Sequence, residues 1–490
     1  MRLMKKLRYI IFTAIIIALC AAPLMAMLLG YKPLNRENRP LARFPEIVDR
    51  GGGINLGFSS DFDAYFKDNF GLREEMVTAF HSITIALTRD TLNRKVIVGT
   101  GGMLFFSETL DDYLMLNLLS EQDIYRIATS LRLQQEFAES IGARFIFTIA
   151  PNKNTIYPEY MPPYLRPAVG VSNREALYAA LERQNVNTID LARILIERKG
   201  DGLLYHPRDT HWNDRGAIIG FNAIMAAVFP EFVVPDYLGT YRGEIYDHAG
   251  DLHNFVVPAL EGTEERPLFG ISSHYAVGKG ARPGQDITFR TASTAEGAYP
   301  GRLYMMRDSF AINLIPLLSS VIDGVVYSSE FPYNYIRVME EAPDAIAIEL
   351  VERNIRNLLW GAPLMPAVEK AVPDYSGLRR IYGGVAQKTR SGFTQLYGSY
   401  MGGYGEPIHI ILAGEDAYCF EAFPFMEEPS VGEPVPAVVP MSDEEMLAWI
   451  SWSGISSGFT LTLPDYVHGD YSATLVCGDM YAELGTVTVP

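Results

Sequence analysis

Three predominantly apolar runs constrain the fold of this chain more than any other feature of its sequence. They are Arg144–Ala150, Val321–Tyr327 and Ala345–Val351. A strand with one face in water alternates polar and apolar residues, whereas a continuous apolar run suits a strand covered on both faces, as in a parallel sheet. Segments with helical periodicity separate these runs, which predicts an α/β sandwich with a mostly parallel sheet. In such sheets, functional groups gather beyond the carboxyl ends of the strands.

The helices of this sandwich are marked by residues that favour helix starts. Ser120 followed by Asp123 is a capping-box pattern for a helix that runs to about Ile141. The remaining elements before the third apolar run are predicted as a helix near Asn173–Arg183, a strand near Val186–Asp190, a helix near Leu191–Glu197 and a helix capped by Asn213 or Asp214 that ends near Phe229.

The segment Tyr205–Gly216 holds the densest group of chemically active side chains. Within it, Asp209 and His211 are separated by one residue. In an extended segment, side chains at i and i+2 project from the same face, so this carboxylate would reach the imidazole. Such a carboxylate holds a base histidine in one tautomer and stabilises its cation. The alternative interpretation is a capping and packing cluster without chemistry.

Ser309 is the candidate nucleophile for this histidine. It lies in a polar turn after the strand-like run Leu303–Met306, and the apolar segment Ala311–Ser320 that follows is predicted to be helical. A strand–turn–helix that exposes a serine at its apex is the architecture of a nucleophile elbow. The pattern therefore predicts a Ser309–His211–Asp209 triad.

The motif Asp209-Thr-His-Trp212, followed by Asn213 and Gly216-Ala217, resembles a known signature. It is similar to the Asp-x-His-Trp motif of the SGNH-type O-acetyltransferases of bacterial exopolysaccharides, the alginate acetylation proteins and their relatives. The related DHHW family has histidine where this chain has Thr210. Further short motifs, including Gly250-Asp-Leu252 and Glu352-Arg353, extend the resemblance over residues 31–365.

The resemblance implies an SGNH-like α/β/α fold with Asp209, His211 and Ser309 as its catalytic residues. It implies an O-acetyltransferase that uses a serine acyl-enzyme and a polysaccharide acceptor. It also implies a polytopic membrane-bound O-acyltransferase as the acetyl donor. Two further hypotheses from the same residues are a carbohydrate esterase with the same triad and a non-catalytic envelope scaffold that binds glycan.

Four further residues are candidates for the oxyanion hole or for substrate binding: Asn152, Lys153, Trp212 and Arg307. The Asn152 side chain would join the Ser309 backbone N–H as an oxyanion donor. Lys153 either holds an anionic sugar or is solvated, and Trp212 either packs behind His211 or walls the sugar site. Arg307 stands where SGNH enzymes have the Gly of a Gly-Asp-Ser motif, and Asp308 is expected to bond turn amides. Glu352-Arg353 is expected to start a helix with a salt bridge.

The N-terminus predicts a membrane anchor. Arg2, Lys5, Lys6 and Arg8 precede the uncharged run Tyr9–Leu29, which is long enough to cross a bilayer. An uncleaved signal anchor with an extracytoplasmic catalytic domain is favoured, and a cleaved signal peptide of a secreted protein is the alternative.

The chain divides by composition into four parts. Residues 1–30 form the anchor, 31–94 a tether with packing helices, 95–370 the catalytic domain with an irregular insertion at about 232–300, and 371–490 a β-sandwich that is a possible carbohydrate-binding module. The helix carrying Phe62, Tyr65, Phe66 and Phe70 is expected to pack on the main domain. In the sandwich, Tyr397, Tyr404, Trp449 and Trp452 either fill its core or stack on sugar rings.

Charge and cysteine content exclude other classes. The net charge of −17 over 490 residues, without a basic patch, argues against a nucleic-acid partner. Cys20 lies in the leader, and Cys419 and Cys477 are either a disulfide or two separate buried thiols. No cluster of histidine, cysteine and carboxylate residues has metal-ligand spacing in the sequence, so neither a metal nor another cofactor is predicted.

Overall fold

The computed structural model describes residues 2–31, 41–48, 53–88, 90–167, 169–260, 262–271, 273–425, 437–438 and 457–490. The α-helices are α1 (Arg2–Leu28), α2 (Phe58–Asn69), α3 (Arg73–Thr88), α4 (Leu110–Tyr113), α5 (Glu121–Ser140), α6 (Lys153–Ile156), α7 (Asn173–Arg183), α8 (Leu191–Glu197), α9 (Asp214–Val228), α10 (Asp251–Val256), α11 (Ile315–Val321) and α12 (Tyr335–Glu341).

The β-strands of the described residues fall into a central sheet, two small hairpins and a C-terminal pair of sheets. They are β1 (Val96–Val98), β2 (Leu104–Phe106), β3 (Arg144–Ala150), β4 (Thr188–Ile189), β5 (Gly243–His248), β6 (Glu264–Leu268), β7 (Tyr275–Val277), β8 (Thr288–Ser293), β9 (Tyr299–Met306), β10 (Ile322–Ser328), β11 (Ala345–Val351), β12 (Arg379–Arg380), β13 (Gly383–Arg390), β14 (Phe393–Tyr400), β15 (Ile408–Ala413), β16 (Ala417–Ala422), β17 (Ala437–Val438), β18 (Ser457–Thr462), β19 (Gly469–Cys477) and β20 (Met480–Val489).

The central sheet has seven strands in the order β4-β3-β11-β9-β10-β8-β7. The first five are parallel to one another, and β8 and β7 extend the sheet as antiparallel edge strands. All seven residues of β11 are buried, as are six of the seven in β3. The prediction of a mostly parallel sheet with strands covered on both faces is therefore confirmed.

Each face of this sheet has its own core. Ile146, Leu303 and Met305 face α8, α9 and α11 in one cluster of buried side chains. Phe145, Phe147 and their neighbours face α5, α7 and α12 in the other. The strands alternate between the two cores because successive side chains of a strand point to opposite faces. This is the three-layer α/β/α arrangement predicted from the sequence.

The helices α5 and α9 begin after the capping residues identified in the sequence. The Ser120 side chain accepts a hydrogen bond from the Asp123 N–H, and the Asp123 carboxylate accepts one from the Ser120 N–H. Asn213 accepts bonds from the N–H groups of Arg215 and Gly216 at the start of α9. These bonds satisfy backbone donors that a helix N-terminus leaves unpaired.

The region at about 232–300 is more regular than predicted. It contains the β5–β6 hairpin, the short helix α10 and the edge strands β7 and β8. The hairpin and α10 lie against the segment that carries Asp209, because the Asp251 N–H and the His248 ring both bond to that carboxylate.

The C-terminal region forms two sheets, of order β12-β20-β19-β15-β16 and β17-β13-β14-β18. Tyr397 is fully buried and Tyr404 is exposed, whereas Trp449 and Trp452 lie outside the described residues.

Cys419 and Cys477 are separate buried thiols. A disulfide is prevented because β15 pairs Ile411 with Cys419 and Ile408 with Cys477, an odd offset that places the two thiols in cores on opposite faces of the sheet.

The N-terminal helices differ from the prediction in one respect. Residues Lys6–Leu28 of α1 form a 23-residue helix that contains an 18-residue stretch of mean hydropathy 2.5 and is long and apolar enough to cross a membrane. The helix α2 carries the predicted aromatic row, but none of its residues is buried. The expectation that this row packs on the main domain is therefore wrong, and it is α3 that contacts α10.

Candidate active site

Asp209 and His211 lie in a tight loop that leads into α9. A β-bridge between Tyr205 and Trp212 closes the loop at its base. The expected extended backbone is wrong, since the residues between form turns and bends. The two side chains meet instead because one oxygen of Asp209 accepts both the His211 backbone N–H, at 2.9 Å, and the His211 Nδ1–H, at 2.7 Å.

Ser309 lies in the turn between β9 and a 3₁₀-helix at Phe310–Leu314. Asp308 fixes this turn by accepting the Phe310 N–H at 2.9 Å and the Val351 N–H at 2.6 Å, which confirms its expected role. The helix predicted over Ala311–Ser320 is divided between the 3₁₀-helix and α11. The turn therefore resembles the predicted nucleophile elbow in its connectivity.

The structure brings the three predicted residues together. The Ser309 Oγ lies 2.9 Å from the His211 Nε2, and the opposite ring nitrogen bonds to Asp209. Because Asp209 accepts from Nδ1, Nε2 is the nitrogen without a proton and accepts from the Ser309 hydroxyl. Ser309 and His211 are half-buried, whereas Asp209 is 5% exposed. A substrate can thus reach the serine and the imidazole while the carboxylate stays covered.

The second oxygen of Asp209 has partners of its own. It accepts from the His248 Nε2–H and from the Asp251 N–H, both at 3.0 Å. Burial alone would raise the pKa of Asp209, but the hydrogen bonds from His211 and His248 lower it well below its usual range. Asp209 is therefore ionised at neutral pH, as a carboxylate that stabilises an imidazolium must be.

His248 belongs to a second cluster that sequence spacing did not reveal. His206, His248 and Glu264 each place a ligand-type atom within 4.8 Å of the others. The two rings stack with centroids 3.6 Å apart and planes 12° apart, so their in-plane lone pairs run nearly parallel and do not converge on one ion. Burial lowers the pKa of His206 to about 3, which leaves that ring neutral. The cluster supports Asp209 through His248.

Lys153 holds the backbone of the same loop. Its Nζ donates to the carbonyl oxygens of His206, Pro207 and Asp209 at 3.0, 3.0 and 2.6 Å. An ammonium has three donors, and all three are used here. The side chain is 4% exposed. Both expectations for Lys153, a sugar-binding cation and a solvated one, are therefore wrong.

The other three candidates for the oxyanion hole or for substrate binding are also committed to internal contacts. Asn152 is 1% exposed, and its Nδ2 donates to Asp112. Arg307 is buried and donates to the carbonyl oxygens of Asp286 and Asp308. Trp212 has no exposed surface, so it does not wall a sugar site, and its Nε1 donates to the Phe310 carbonyl at 3.0 Å. Trp212 acts on His211 through Phe310, whose ring lies 4.9 Å from the imidazole.

Arg353 is a cation near the site that sequence reasoning assigned to a salt bridge. It is Glu352 that forms the ion pair, with Arg174. The Arg353 guanidinium lies 5.5 Å from the ring of Phe106 and 5.7 Å from that of Phe310, the residue after Ser309. Among the described residues it forms no ion pair within 4 Å. The sequence gives no sign that Arg353 lies beside Ser309, because this position depends on contacts with Phe106 and Phe310 that only the folded chain makes.

A parallel sheet covered by helices on both faces, with a serine after one central strand and an Asp-x-His loop that meets it, defines the class of SGNH hydrolase-like domains. Residues 96–272 match the family model described as "SGNH hydrolase-like domain, acetyltransferase AlgX". The resemblance to the alginate O-acetyltransferase-like family is therefore confirmed over residues 96–272, a span that contains Asp209 and His211 and ends before Ser309.

Individual relatives are more distant. The chain is 22% identical over 217 residues to the "Probable alginate O-acetylase AlgJ" of Pseudomonas putida, a match that covers 42% of this chain and 55% of that protein. The chain thus spans about half the length of this curated relative. Among solved structures, the O-acetyltransferase domain of P. putida AlgJ (18% identity, 53% of this chain, 92% of that chain) and Bacillus cereus PatB1 with a sulfonyl adduct (12%, 53%, 94%) have TM-scores of 0.37 and 0.39.

Proposed function

We propose that this chain is an O-acetyltransferase that moves an acetyl group through Ser309 onto hydroxyls of an envelope or extracellular polysaccharide. The observation that carries the proposal is the continuous hydrogen-bonded series from the Ser309 Oγ through the His211 ring to Asp209. The confirmed family domain supports the reaction class, since the curated relative is named a probable alginate O-acetylase.

In the first half of the reaction, His211 Nε2 takes the Ser309 proton as the Oγ attacks the acyl carbonyl carbon. The bond from Oγ to that carbon forms, and the bond from the carbon to the donor oxygen breaks. His211 returns its proton to the departing donor oxygen. The product is acetyl-Ser309 with a neutral imidazole.

In the second half, a sugar hydroxyl gives its proton to the same nitrogen and attacks the acetyl carbon. The bond to Ser309 breaks, and the serine oxygen recovers the proton. Throughout, Asp209 keeps the imidazole in one tautomer and stabilises its cation. Water in place of the sugar would give hydrolysis, the outcome of the esterase alternative.

The developing oxyanion needs a donor in place before the reaction. The backbone N–H of Ser309 bonds to no acceptor among the described residues, so it is the first oxyanion donor. Such donors typically contribute roughly 100- to 1,000-fold to the rate. Arg353 is the second group we assign, as the cation that attracts an anionic sugar or the developing charge.

The reaction takes place on the extracytoplasmic side of the membrane in this proposal. The helix α1 is the anchor, the polysaccharide is the acceptor, and a membrane-bound O-acyltransferase supplies the acetyl group. An exported location is consistent with the apolar N-terminal helix.

The test is acetyl transfer from an activated acetate ester to a panel of neutral and anionic oligosaccharides. Wild-type protein should form acetylated sugar, and Ser309→Ala should abolish it. Ser60→Ala, at an exposed serine of α2, is the matched control and should be unchanged. Ester hydrolysis without sugar acetylation at any acceptor would replace the transferase by an esterase. Equal product from wild type and Ser309→Ala would contradict both.

A further inference from the structure

The helix α3 turns buried polar residues toward the protein and large apolar residues toward the surroundings. Its fully buried residues are polar: Thr78 accepts the Ala259 N–H at 3.0 Å, and His81 bonds to Thr91 at 2.8 Å. Ile85 is the apolar residue of this inner face, and it packs against Val96, Leu252 and Val256. Its outer face presents Met76, Phe80, Ile83 and Leu87 to the surroundings at 45, 52, 61 and 79% exposure. We call these four residues the outer face of α3.

The spacing of the outer face makes it one continuous stripe. The four residues follow one another at intervals of four, three and four, which places them on one side of a helix. No charged residue interrupts the stripe, and Ala79 and Ala86 border it. Removing these four side chains from water would stabilise any contact that covers them. An apolar stripe of this kind marks an interaction surface.

The C-terminal part of α1 contacts the corner at which α2 leads into α3. The corner between α2 and α3 touches α1 so closely that a Cβ on Gly71 would lie 2.3 Å from the Pro23 carbonyl oxygen and 3.0 Å from the Ala26 Cβ. Tyr31, just beyond α1, donates a hydrogen bond to Glu75 of α3. The pair α2–α3 is therefore fixed to the end of the candidate membrane span.

The depth of this contact identifies the occupant. Pro23 is five residues before the end of α1, which at the rise of an α-helix is roughly 8 Å of depth. Apolar faces of interfacial helices lie about 5–10 Å into the boundary between headgroups and acyl chains. The helix α2, which leads into the same corner, also has exposed rings at Phe62 and Phe66, and phenylalanine is common on the apolar faces of interfacial helices.

We propose that the outer face of α3 lies in the surface of the bilayer that α1 crosses, so that the chain is held to lipid by a membrane-parallel helix as well as by its anchor. The contact orients the SGNH-like domain, since on the inner face Thr78 bonds to Ala259 and Ile85 packs against Leu252 and Val256 of that domain. The absence of basic residues from the stripe means that apolar insertion, not attraction to anionic lipid, supplies the affinity. The inference rests on α1 as a membrane span and is independent of the acetyltransferase proposal.

The experiment uses the full chain reconstituted in phosphatidylcholine vesicles. A nitroxide is attached at Phe80→Cys in a Cys20→Ala background, and its collision rates with oxygen and with a water-soluble nickel chelate are measured by electron paramagnetic resonance. Ser82→Cys, exposed on the same helix but off the stripe, is the matched control, and Glu296→Cys in an exposed loop is the aqueous reference. Leu87→Cys, the most exposed stripe position, replaces Phe80→Cys if that variant unfolds at a lower temperature than wild type.

The stripe label should collide more with oxygen than with the nickel chelate, whereas the Ser82 and Glu296 labels should show the reverse order. Addition of anionic lipid or salt should leave this pattern unchanged. A stripe label as accessible to the chelate as Glu296→Cys would overturn the inference and assign the face to a protein partner. Protection from both reagents with coupling between labels would overturn it in favour of a second copy. Co-flotation of the protein with the vesicles tests separately whether α1 anchors the chain in the membrane.

Discussion

Asp209 receives four hydrogen bonds, two on each carboxylate oxygen. The two on Oδ1 come from His211 and fix the ring that faces Ser309. The two on Oδ2 come from the β5 strand end and from α10, and they hold the carboxylate in place. A carboxylate that loses one such donor is free to rotate away from the imidazole.

His248 is therefore a positioning residue at the residue scale. His248→Phe keeps a ring over His206 but removes the donor to Asp209, and we expect kcat to fall about 10- to 100-fold, the equivalent of one hydrogen bond to a charged group. His248→Gln retains a side-chain N–H and should recover most of the loss. Steady-state kinetics on the activated ester measure both variants. A loss in His248→Gln with little loss in His248→Phe would instead assign His248 to ring packing on His206.

Lys153 is the other residue whose charge is tied to this loop. Burial lowers the pKa of its ammonium to about 8, although the nearby Asp209 raises it in part. Since the folded pKa lies below the ordinary value of 10.5, the unfolded chain binds more protons than the folded chain between these values. The stability contributed by Lys153 therefore rises with pH across this window, by at most about 1.4 kcal/mol per pH unit.

Chemical denaturation of wild type and Lys153→Met at about pH 7.5 and about pH 9.5 checks this linkage. The free energy of unfolding of wild type minus that of the variant should be larger at the higher pH. Subtracting the variant removes the titration of buried tyrosines, which both proteins share. A difference that shrinks with pH would contradict the assigned sign.

At the scale of elements, the approach of α10 to the Asp209 loop depends on a missing side chain. A Cβ on Gly250 would lie 2.1 Å from the carbonyl oxygen of Arg208. Gly250→Ala must therefore move α10 or the loop, and both carry partners of Asp209. We expect a loss of activity of roughly 10-fold or more together with a lower melting temperature, since small displacements at a catalytic site cost this much.

Gly200→Ala is the matched control for this substitution. A Cβ there meets nothing within 4 Å, and the segment Lys199–Asp201 is a 3₁₀ turn away from the site. Thermal unfolding and ester kinetics should leave this variant close to wild type. If Gly250→Ala behaved in the same way, the close approach would have no part in holding Asp209.

Elements with strong local signals were predictable from the sequence. The helices Asn173–Arg183 and Leu191–Glu197 and the strand Ala345–Val351 have the predicted bounds, because capping residues and apolar runs act over a few positions. The edge strand β8 was missed since only one of its two buried residues, Phe289 and Thr291, is apolar, and since β9 separates it in sequence from its partner β10.

In the candidate site, too, some residues could be identified from local sequence and others only from the folded structure. Asp209, His211 and Ser309 stood out through residue type and resemblance, and the structure brings them within hydrogen-bond distance. The contacts of His248, Lys153 and Arg353 depend on how separate segments meet. The carbonyl oxygens that Lys153 binds lie more than fifty residues away, and no pattern within one segment encodes that contact.

At the scale of the whole molecule, the C-terminal sheets share a core with the central sheet. Phe423 and Phe425 belong to the same cluster of buried side chains as β3, α5 and α7. Arg132 on α5 forms an ion pair with Glu421 of β16. The two parts are therefore expected to unfold together.

Phe423→Ala tests this coupling. Truncating a buried phenylalanine costs about 3–5 kcal/mol, and here the loss should lower the stability of the central sheet as well as that of the C-terminal sheets. Denaturation is followed by circular dichroism and by the fluorescence of Trp212 in a background in which Trp360, Trp449 and Trp452 are replaced by phenylalanine. Both signals should give one transition, shifted to lower denaturant in the variant. Two separate transitions, with the Trp212 signal unchanged by the substitution, would contradict a shared core.

The most direct measurement of the central claim is mass spectrometry of the intact protein and its peptides during turnover of an activated acetate ester. The account predicts one added acetyl group on the peptide that carries Ser309, absent in Ser309→Ala and strongly reduced in His211→Ala. Turnover by wild type with no acetyl group on Ser309 at any time, or the same label in Ser309→Ala, would contradict it.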